Sequence, residues 1–258
     1  MSLNNVYQPP QAELVDPTHA TGQLGDIQSH STGQGATWLG DAWRLFKKQP
    51  GLWVGMIIVY FILLIVLSMI PIINFLTSII TPVLTGGWMI AAVNSDTNSN
   101  ATLEDLFAGF KQNAGPLFLV GLISLGLELV IFAVMGIVIA AMLGINEFIQ
   151  FVQDPQDMSQ IMPVVGLLVL LYLAILVPII MMIWFAPVLI VQHKLGAWES
   201  MMLSLKGCAK NVMPFLLYSI ITLFLCIVAM IPLGLGMLIV TPVIILSIYT
   251  SYKDIYLQ

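Results

Sequence analysis

The sequence predicts an all-α membrane protein, a polytopic bundle of six transmembrane helices built from three parallel repeats. Each repeat is expected to be an interfacial amphipathic helix plus two spans. Three observations carry this. Hydrophobic residues make up 59% of the chain and charged ones 8%, a balance outside that of soluble domains. Several apolar runs approach or exceed the ~18 residues that a bilayer crossing needs. An amphipathic segment leading into apolar runs also occurs three times. Helices are the only spanning elements that fit, because the runs lack the alternation of a membrane barrel and open strands would leave backbone groups unpaired in lipid.

Residues 1–36 are rich in Gln, Asn, Thr, Gly and Pro and contain Glu13, Asp16 and Asp26 but no Lys or Arg. They are expected to form a disordered cytoplasmic tail. With no basic start and no short apolar core, the tail does not read as a secretory signal. The membrane domain, 37–258, divides into repeats at about 37–97, 98–194 and 195–258.

In the first repeat Leu39, Ala42, Trp43 and Phe46 form an apolar stripe, with Asp41, Arg44, Lys47 and Lys48 on the polar side. Trp and basic residues at this spacing suit a membrane interface. Pro50 ends the helix, Leu52 to Ile70 makes a first span, Pro71 marks a turn, and a second span runs from about Ile72 to Val93. Asn94 to Ala101 is a polar loop.

The second repeat has the clearest amphipathic helix. Leu103, Leu106, Phe107 and Phe110 recur at i, i+3, i+4 and i+7, opposite Glu104, Asp105, Lys111 and Gln112. Thr102 stands at the N-cap with Asp105 three residues on, and Gly115-Pro116 ends the pattern. A third span follows from about Pro116 to Met142, then an acidic loop with Glu147, Asp154 and Asp157, then a long fourth span from Pro163 to Val191. In the third repeat Trp198, Met201, Met202, Leu205 and Cys208 form the stripe, and spans follow from about Phe215 to Ile231 and Gly234 to Tyr252.

The final span of each repeat carries a matching proline: Thr81-Pro82-Val83-Leu84, Ala186-Pro187-Val188-Leu189 and Thr241-Pro242-Val243-Ile244. Each of Pro82, Pro187 and Pro242 removes a donor and frees a carbonyl one turn earlier, which in lipid must find another partner. Thr81 and Thr241 can supply hydroxyls locally, whereas Ala186 cannot. Small-x-x-x-small pairs at Gly51/Gly55, Gly87/Ala91 and Gly136/Ala140/Gly144 point to close helix packing.

All eight Lys and Arg fall on one side of the six-span path: Arg44, Lys47, Lys48, Lys111, Lys194, Lys206, Lys210 and Lys253. The positive-inside rule then puts both termini and all three amphipathic helices in the cytoplasm, with the chain in a plasma membrane. Even-span repeats keep one orientation, which argues against an inverted-repeat transporter.

Chemical motifs are scarce. Cys208 and Cys226 lie at different depths, suggesting neither a disulfide nor a metal site. His193, beside Lys194, reads as a solvated junction residue. There is no phosphate-cradling glycine loop, no H-E-x-x-H and no G-x-S-x-G. No catalytic set, cofactor or metal is expected, and no dense basic patch suits nucleic acid. Glu128 is the one acid or base near the middle of a span, and no Lys or Arg in any span pairs with it. Such a residue is expected either to be a structural acid that donates a hydrogen bond to a freed carbonyl or to a tyrosine such as Tyr60 or Tyr172, or to hold a proton or cation.

The runs A-W-R-L-F-K-K-Q-P-G-L-W, T-P-V-L-T-G-G and L-F-A-G-F-K-Q-N resemble a bacterial family of uncharacterised multipass inner-membrane proteins, over about Trp38 to the C-terminus. The chain is more distantly similar to the membrane domain attached to some glycerophosphoryl diester phosphodiesterases. The acidic and histidine metal ligands of their hydrolase half do not occur in this sequence. The resemblance implies a fold and a bacterial inner-membrane location, and no reaction.

The function expected from these features is that of a non-enzymatic inner-membrane protein that organises lipid or a membrane partner complex. Its partners would be the bilayer and a membrane protein or a second copy of the chain. The alternative is a carrier or channel for a small solute along the axis between the three repeats, although the P-x-[DE]-x-x-[KR] signature of mitochondrial carriers is absent. An intramembrane enzyme would lack a catalytic pair.

Overall fold

The computed structural model describes residues 22–69, 74–97, 100–143 and 162–258. The expected turn at Pro71, the acidic loop around Asp154 and residues 1–21 of the tail lie outside the described residues. Among the described residues the structure is all-helical, with nine α-helices and one 3-10 helix; the β contact is an isolated bridge between Leu24 and Leu257. In chain order the helices are α1 (Gln34–Lys48), α2 (Pro50–Ser68), α3 (Asn74–Asp96), the 3-10 helix (Leu103–Phe110) and α4 (Ala114–Leu143). There follow α5 (Met162–Trp184), α6 (Ala186–His193), α7 (Ala197–Lys210), α8 (Val212–Met230) and α9 (Met237–Tyr256).

Among the described residues, five stretches are long and apolar enough to cross a membrane: Pro50–Leu67, Ala114–Val138, Leu168–His193, Val212–Met230 and Met237–Tyr256. This is the profile of a multipass membrane protein. The expected second span, α3, is not one of the five. It carries Thr77, Ser78, Thr81, Thr85, Asn94, Ser95 and Asp96, yet from Pro82 to Val93 every residue except Thr85 is buried. The 3-10 helix, α2, α4, α6 and α9 all pack against it. Of its polar side chains Ser95 is buried, and Thr77, Ser78, Thr81, Thr85, Asn94 and Asp96 are half-buried.

The three amphipathic elements are all present, and each buries part of the expected stripe together with residues outside it. In α1, Trp38, Leu39, Ala42, Leu45 and Phe46 are buried, while Trp43 stays 43% exposed and stacks on Phe46 with ring centroids 5.3 Å apart. The second element has the capping box expected from Thr102 and Asp105, but it is a 3-10 helix, not an α-helix. That tighter coil eclipses i and i+3, so Leu106 and Gly109 turn together towards α3, while Leu103 at the first position of the helix, Phe107 and Phe110 are exposed. In α7 the buried face is Ala197, Ser200, Met201, Ser204, Gly207 and Cys208, and Trp198 is 59% exposed. Small side chains win that face because the contact is close: a Cβ on Gly207 would lie 2.0 Å from the Tyr256 hydroxyl.

Each element lies on a different helix. The 3-10 helix packs on α3, α7 packs on α5, and α1 packs on α9 and the start of α8. Of the small-residue pairs expected to pack, Gly87 does so, with Leu106 O 2.1 Å from where its Cβ would be, whereas Gly51 and Gly136 face open space.

From Gly22 onward the tail departs from the disorder expected of its composition. Gly25 N–H donates to Tyr256 O at 2.8 Å and Gln28 N–H to Ile255 O at 2.9 Å. His30 N–H donates to Asn211 Oδ1 at 2.9 Å, and Asn211 Nδ2 returns a bond to Gln28 O at 2.9 Å. Backbone pairing, which composition does not report, holds this segment along the end of α9.

The contact between the 3-10 helix and α3 makes a direct prediction. A Cβ at Gly109 would sit 2.0 Å from Val83 O, so Gly109→Ala should cost about 1–3 kcal/mol through overpacking. Gly51→Ala, in open space, should change stability by less than about 0.5 kcal/mol. Denaturation midpoints in detergent check both, and equal midpoints for the two variants would contradict the packing.

Candidate functional site

Pro82, Pro187 and Pro242 are all buried, and the backbone around each is handled differently. In α3, Thr81 Oγ1 donates to Thr77 O at 2.7 Å, one residue short of the Ser78 carbonyl that Pro82 frees, and Thr85 Oγ1 donates to Thr81 O at 2.9 Å. In α9 the Thr241 hydroxyl, expected to help, is buried without a hydrogen-bond partner among the described residues. Near Pro187 the helix breaks. The chain leaves α5 at Trp184 and restarts as α6 at Ala186. The Ser204 hydroxyl of α7 enters the gap, accepting from Phe185 N–H at 2.9 Å and donating to Met181 O at 2.6 Å. A hydroxyl inserted between residues i and i−4 is a recognised cause of a sharp kink; the carbonyl that Pro187 itself frees is Ile183 O, and Ser204 binds the neighbouring Met181 O instead. Cys208 Sγ also approaches Met181 O, at 3.6 Å. Burial pushes that thiol up to about 12, only partly opposed by Ser204, so it stays a neutral wall residue.

Two of the three prolines meet at one cavity. Pro82 and Pro187, with Thr81, Thr85, Trp184 and Ile248, line a space of about 190 Å³ between α3, α5, α6 and α9. Pro242 is not in its wall, and α9 contributes Ile248 instead. The lining is apolar apart from the Trp184 indole and two hydroxyls whose protons already go to carbonyls. It suits a small molecule with few polar atoms and offers no charge to an ion.

Glu128 lies on α4, half-buried, and accepts from Ser78 Oγ of α3 at 3.3 Å. Neither expected tyrosine is its partner in that bond. Tyr60 hydrogen-bonds to Thr81, and Tyr172 lies against the Phe132 ring at 6.5 Å between centroids. Ser124, one turn earlier, turns back to Val120 O at 2.8 Å. His193, expected to be solvated, is half-buried with Nε2 2.6 Å from the Tyr252 hydroxyl.

A polar site that the sequence did not single out lies where α1, α3 and α9 end. Asp96, just beyond the apolar stretch that closes at Val93, meets Lys253 Nζ at 2.5 Å, Lys48 Nζ at 3.7 Å and the Tyr249 hydroxyl at 3.0 Å. Lys48 also donates to Ser95 O at 3.1 Å, capping the carbonyl end of α3. With Asp41, Arg44 and Asp254 these groups surround a pocket of about 440 Å³. Arg44 pairs with Asp41. Partial burial works against the Asp96 charge, but Lys253, Tyr249 and Lys48 outweigh it and hold the carboxyl below its usual range. Its signal in the sequence was an acid on the side of the bundle that holds every Lys and Arg.

Among the described residues, no three His, Cys, Asp or Glu side chains gather as metal ligands would. No family model, curated protein or solved structure matches the chain.

The lowered Asp96 value sets a pH dependence. A carboxyl held down in the folded state stabilises above its unfolded value near ~4, and that stability is lost as pH falls through the folded value. The midpoint difference between wild type and Asp96→Asn should therefore be present at neutral pH and shrink in acid. Because both lysines are substantially exposed, it should stay within about 1 kcal/mol and weaken in salt. A difference independent of pH would contradict the ion-pair account.

Proposed function

We propose that the chain is a six-span bacterial inner-membrane protein, α3 being the second span, which works without catalysis by organising lipid or a membrane partner. The observation that carries this reading is the set of large side chains that packing leaves outward on the amphipathic elements. Trp43, Phe107, Phe110 and Trp198 are exposed although the other faces of their helices are buried. Aromatic side chains beside Arg44, Lys47, Lys111 and Lys194 suit the boundary between headgroups and acyl chains.

The three-repeat reading is supported by a relation that recurs. The 3-10 helix opens the second repeat and lies on α3, the last span of the first; α7 opens the third and lies on α5, from the last span of the second. α1 opens the first repeat and lies on α9, the last span of the third. Such a relation is what three parallel units arranged around an axis would give. The resemblance to a bacterial inner-membrane family and to phosphodiesterase membrane domains fits the same picture.

A carrier for a small solute is the second reading, favoured by the cavity of about 190 Å³ between Pro82 and Pro187. Uptake by reconstituted vesicles offered a solute panel would support the carrier. Stoichiometric recovery of lipid or one protein from mild detergent would support the organising role.

Orientation is tested with single cysteines at Asn100, Asp157 and Gln258 in a background free of Cys208 and Cys226. An impermeant thiol reagent applied to intact spheroplasts should label only the position replacing Asp157. Labelling at position 100 from outside would overturn the six-span path with cytoplasmic ends.

A further inference from the structure

The turn that joins α8 to α9 is built from apolar residues and leaves them uncovered. Leu233 is 97% exposed and Ile231 77%, and Met230 and Leu235 beside them are exposed as well. The exposed side of α8, with Ile220, Leu223, Phe224 and Ile227, runs into this tip without a charged residue. From Val212 to Tyr252 the sequence in fact holds no Asp, Glu, Lys, Arg or His. A contiguous apolar patch of this kind marks a surface that something other than water covers.

Leu233 is also held where leucine is disfavoured. Its φ is +54°, in the left-handed region, and Gly234 follows at +79°. Glycine would sit at position 233 without strain, so a strained and fully exposed leucine gains only from a contact outside the bundle. The backbone of the turn is folded on itself. The N–H groups of Ile231, Gly234 and Leu235 donate to Val228 O, Met230 O and Pro232 O at 3.2, 3.1 and 3.0 Å. Gly236 packs back on α8, with Ala229 Cα 2.6 Å from where its Cβ would be. A turn that answers its own amides in this way meets a condition that hydrocarbon sets and water does not.

Depth selects lipid over the water beyond it. α8 begins at Val212, directly after Lys210 and Asn211, whose side chains bind the carbonyls of Ile27 and Gln28 at 2.6 and 2.9 Å. From this polar end α8 rises about 27 Å to Met230. On the return, α9 covers about 24 Å from Met237 to Lys253, which meets Asp96 at the polar end again. Both legs are shorter than a ~30 Å hydrocarbon layer, and any tilt shortens their reach further. α4 differs: its 30 residues extend about 45 Å, and Glu147, Asp154 and Asp157 follow it in the sequence. The chain is built to emerge after α4 and to stop at the far edge of the hydrocarbon after α8.

We propose that the turn between α8 and α9 is a lipid-binding surface, buried among the acyl chains of the leaflet opposite the Lys and Arg residues, with Ile231, Leu233 and Leu235 as its contacts. This hairpin therefore traverses the hydrocarbon without emerging into water. The proposal rests on α8 and α9 lying in a bilayer, as in the six-span reading, and adds that the link between the last two spans is itself a contact with lipid.

The test places a nitroxide label on Leu233→Cys, Phe224→Cys or Gln112→Cys, one at a time, in the full-length protein with Cys208 and Cys226 replaced. The protein is reconstituted in vesicles of phosphatidylethanolamine and phosphatidylglycerol. Oxygen, which partitions into acyl chains, and a water-soluble nickel chelate each report the labels they collide with. The label at Phe224, exposed midway along α8, should meet oxygen and not nickel, and the label at Gln112, exposed beside Lys111, should meet nickel. Position 233 should match 224, with oxygen collisions kept and nickel collisions lost. Leu233→Asn suits a left-handed backbone better than leucine does. It should nevertheless lower the thermal midpoint in the same vesicles, because its carboxamide would lie in hydrocarbon. Nickel collisions at 233 with 224 still shielded would overturn the proposal and leave the six spans standing. Loss of both collisions at 233, as at a contact with protein, or an unchanged or raised midpoint for Leu233→Asn would overturn it as well. Nickel collisions at both 224 and 233 would remove the membrane reading together with the proposal.

Discussion

Trp38 of α1 is wrapped by the last helix, and each of its side-chain and carbonyl polar groups is answered there. Its indole donates to Asp254 Oδ2 at 2.8 Å, and its carbonyl accepts from Thr250 Oγ1 at 2.8 Å. Phe215 of α8 lies 5.1 Å away between ring centroids. A buried Trp of this kind is worth about 3–5 kcal/mol against truncation, and here it joins the beginning of the chain to its end. Lys48 and Lys253 then meet on Asp96, so α1 and α9 are also tied to α3. The closure turns a string of helix pairs into a ring that includes α3.

The number of helices packed on α3 explains why it can carry so many polar side chains. A hydroxyl or carboxamide facing hydrocarbon has no partner, whereas one facing another helix can be answered. Thr81 and Thr85 of α3 are answered locally by carbonyls and Ser78 by Glu128 across the contact with α4, whereas the Ser95 hydroxyl is buried without a partner among the described residues. The same constraint governs Phe185, where the backbone leaves the helix and the Ser204 hydroxyl takes over both groups of the broken bond. A break in a span is tolerated there because a neighbouring helix carries a small donor-acceptor at the right height.

Part of this was legible in the sequence, since apolar length is a strong signal in lipid and marked the five stretches able to span a membrane. The cap at Thr102 and Asp105 was readable as well, because capping is local chemistry. What was not legible depended on neighbours. Spacing put Trp198 and Leu205 on the stripe of α7, but the face that packs is the small one, chosen by how closely Tyr256 approaches Gly207. Periodicity at i, i+3, i+4 and i+7 could not tell an α-helix from the 3-10 coil that lets Leu106 and Gly109 lie flat on α3. Glu128 was identifiable by depth and its partner was not, because Ser78 reaches it only through the crossing of α3 and α4. The ordering of residues from Gly22 rests on backbone bonds to the far end of the chain, which tail composition cannot reveal.

The account turns on the ends of the chain being joined, and the isolated antiparallel bridge between Leu24 and Leu257 gives the most direct measurement of that. Residues paired across such a bridge have Cα atoms about 4.5–5.5 Å apart, within reach of a disulfide. With Cys208 and Cys226 replaced, Leu24→Cys/Leu257→Cys purified in detergent and treated with a mild oxidant should close within single molecules. It should migrate as a compact, reducible species while keeping the wild-type helical content. Closure only between molecules, or only after unfolding, would contradict the head-to-tail ring.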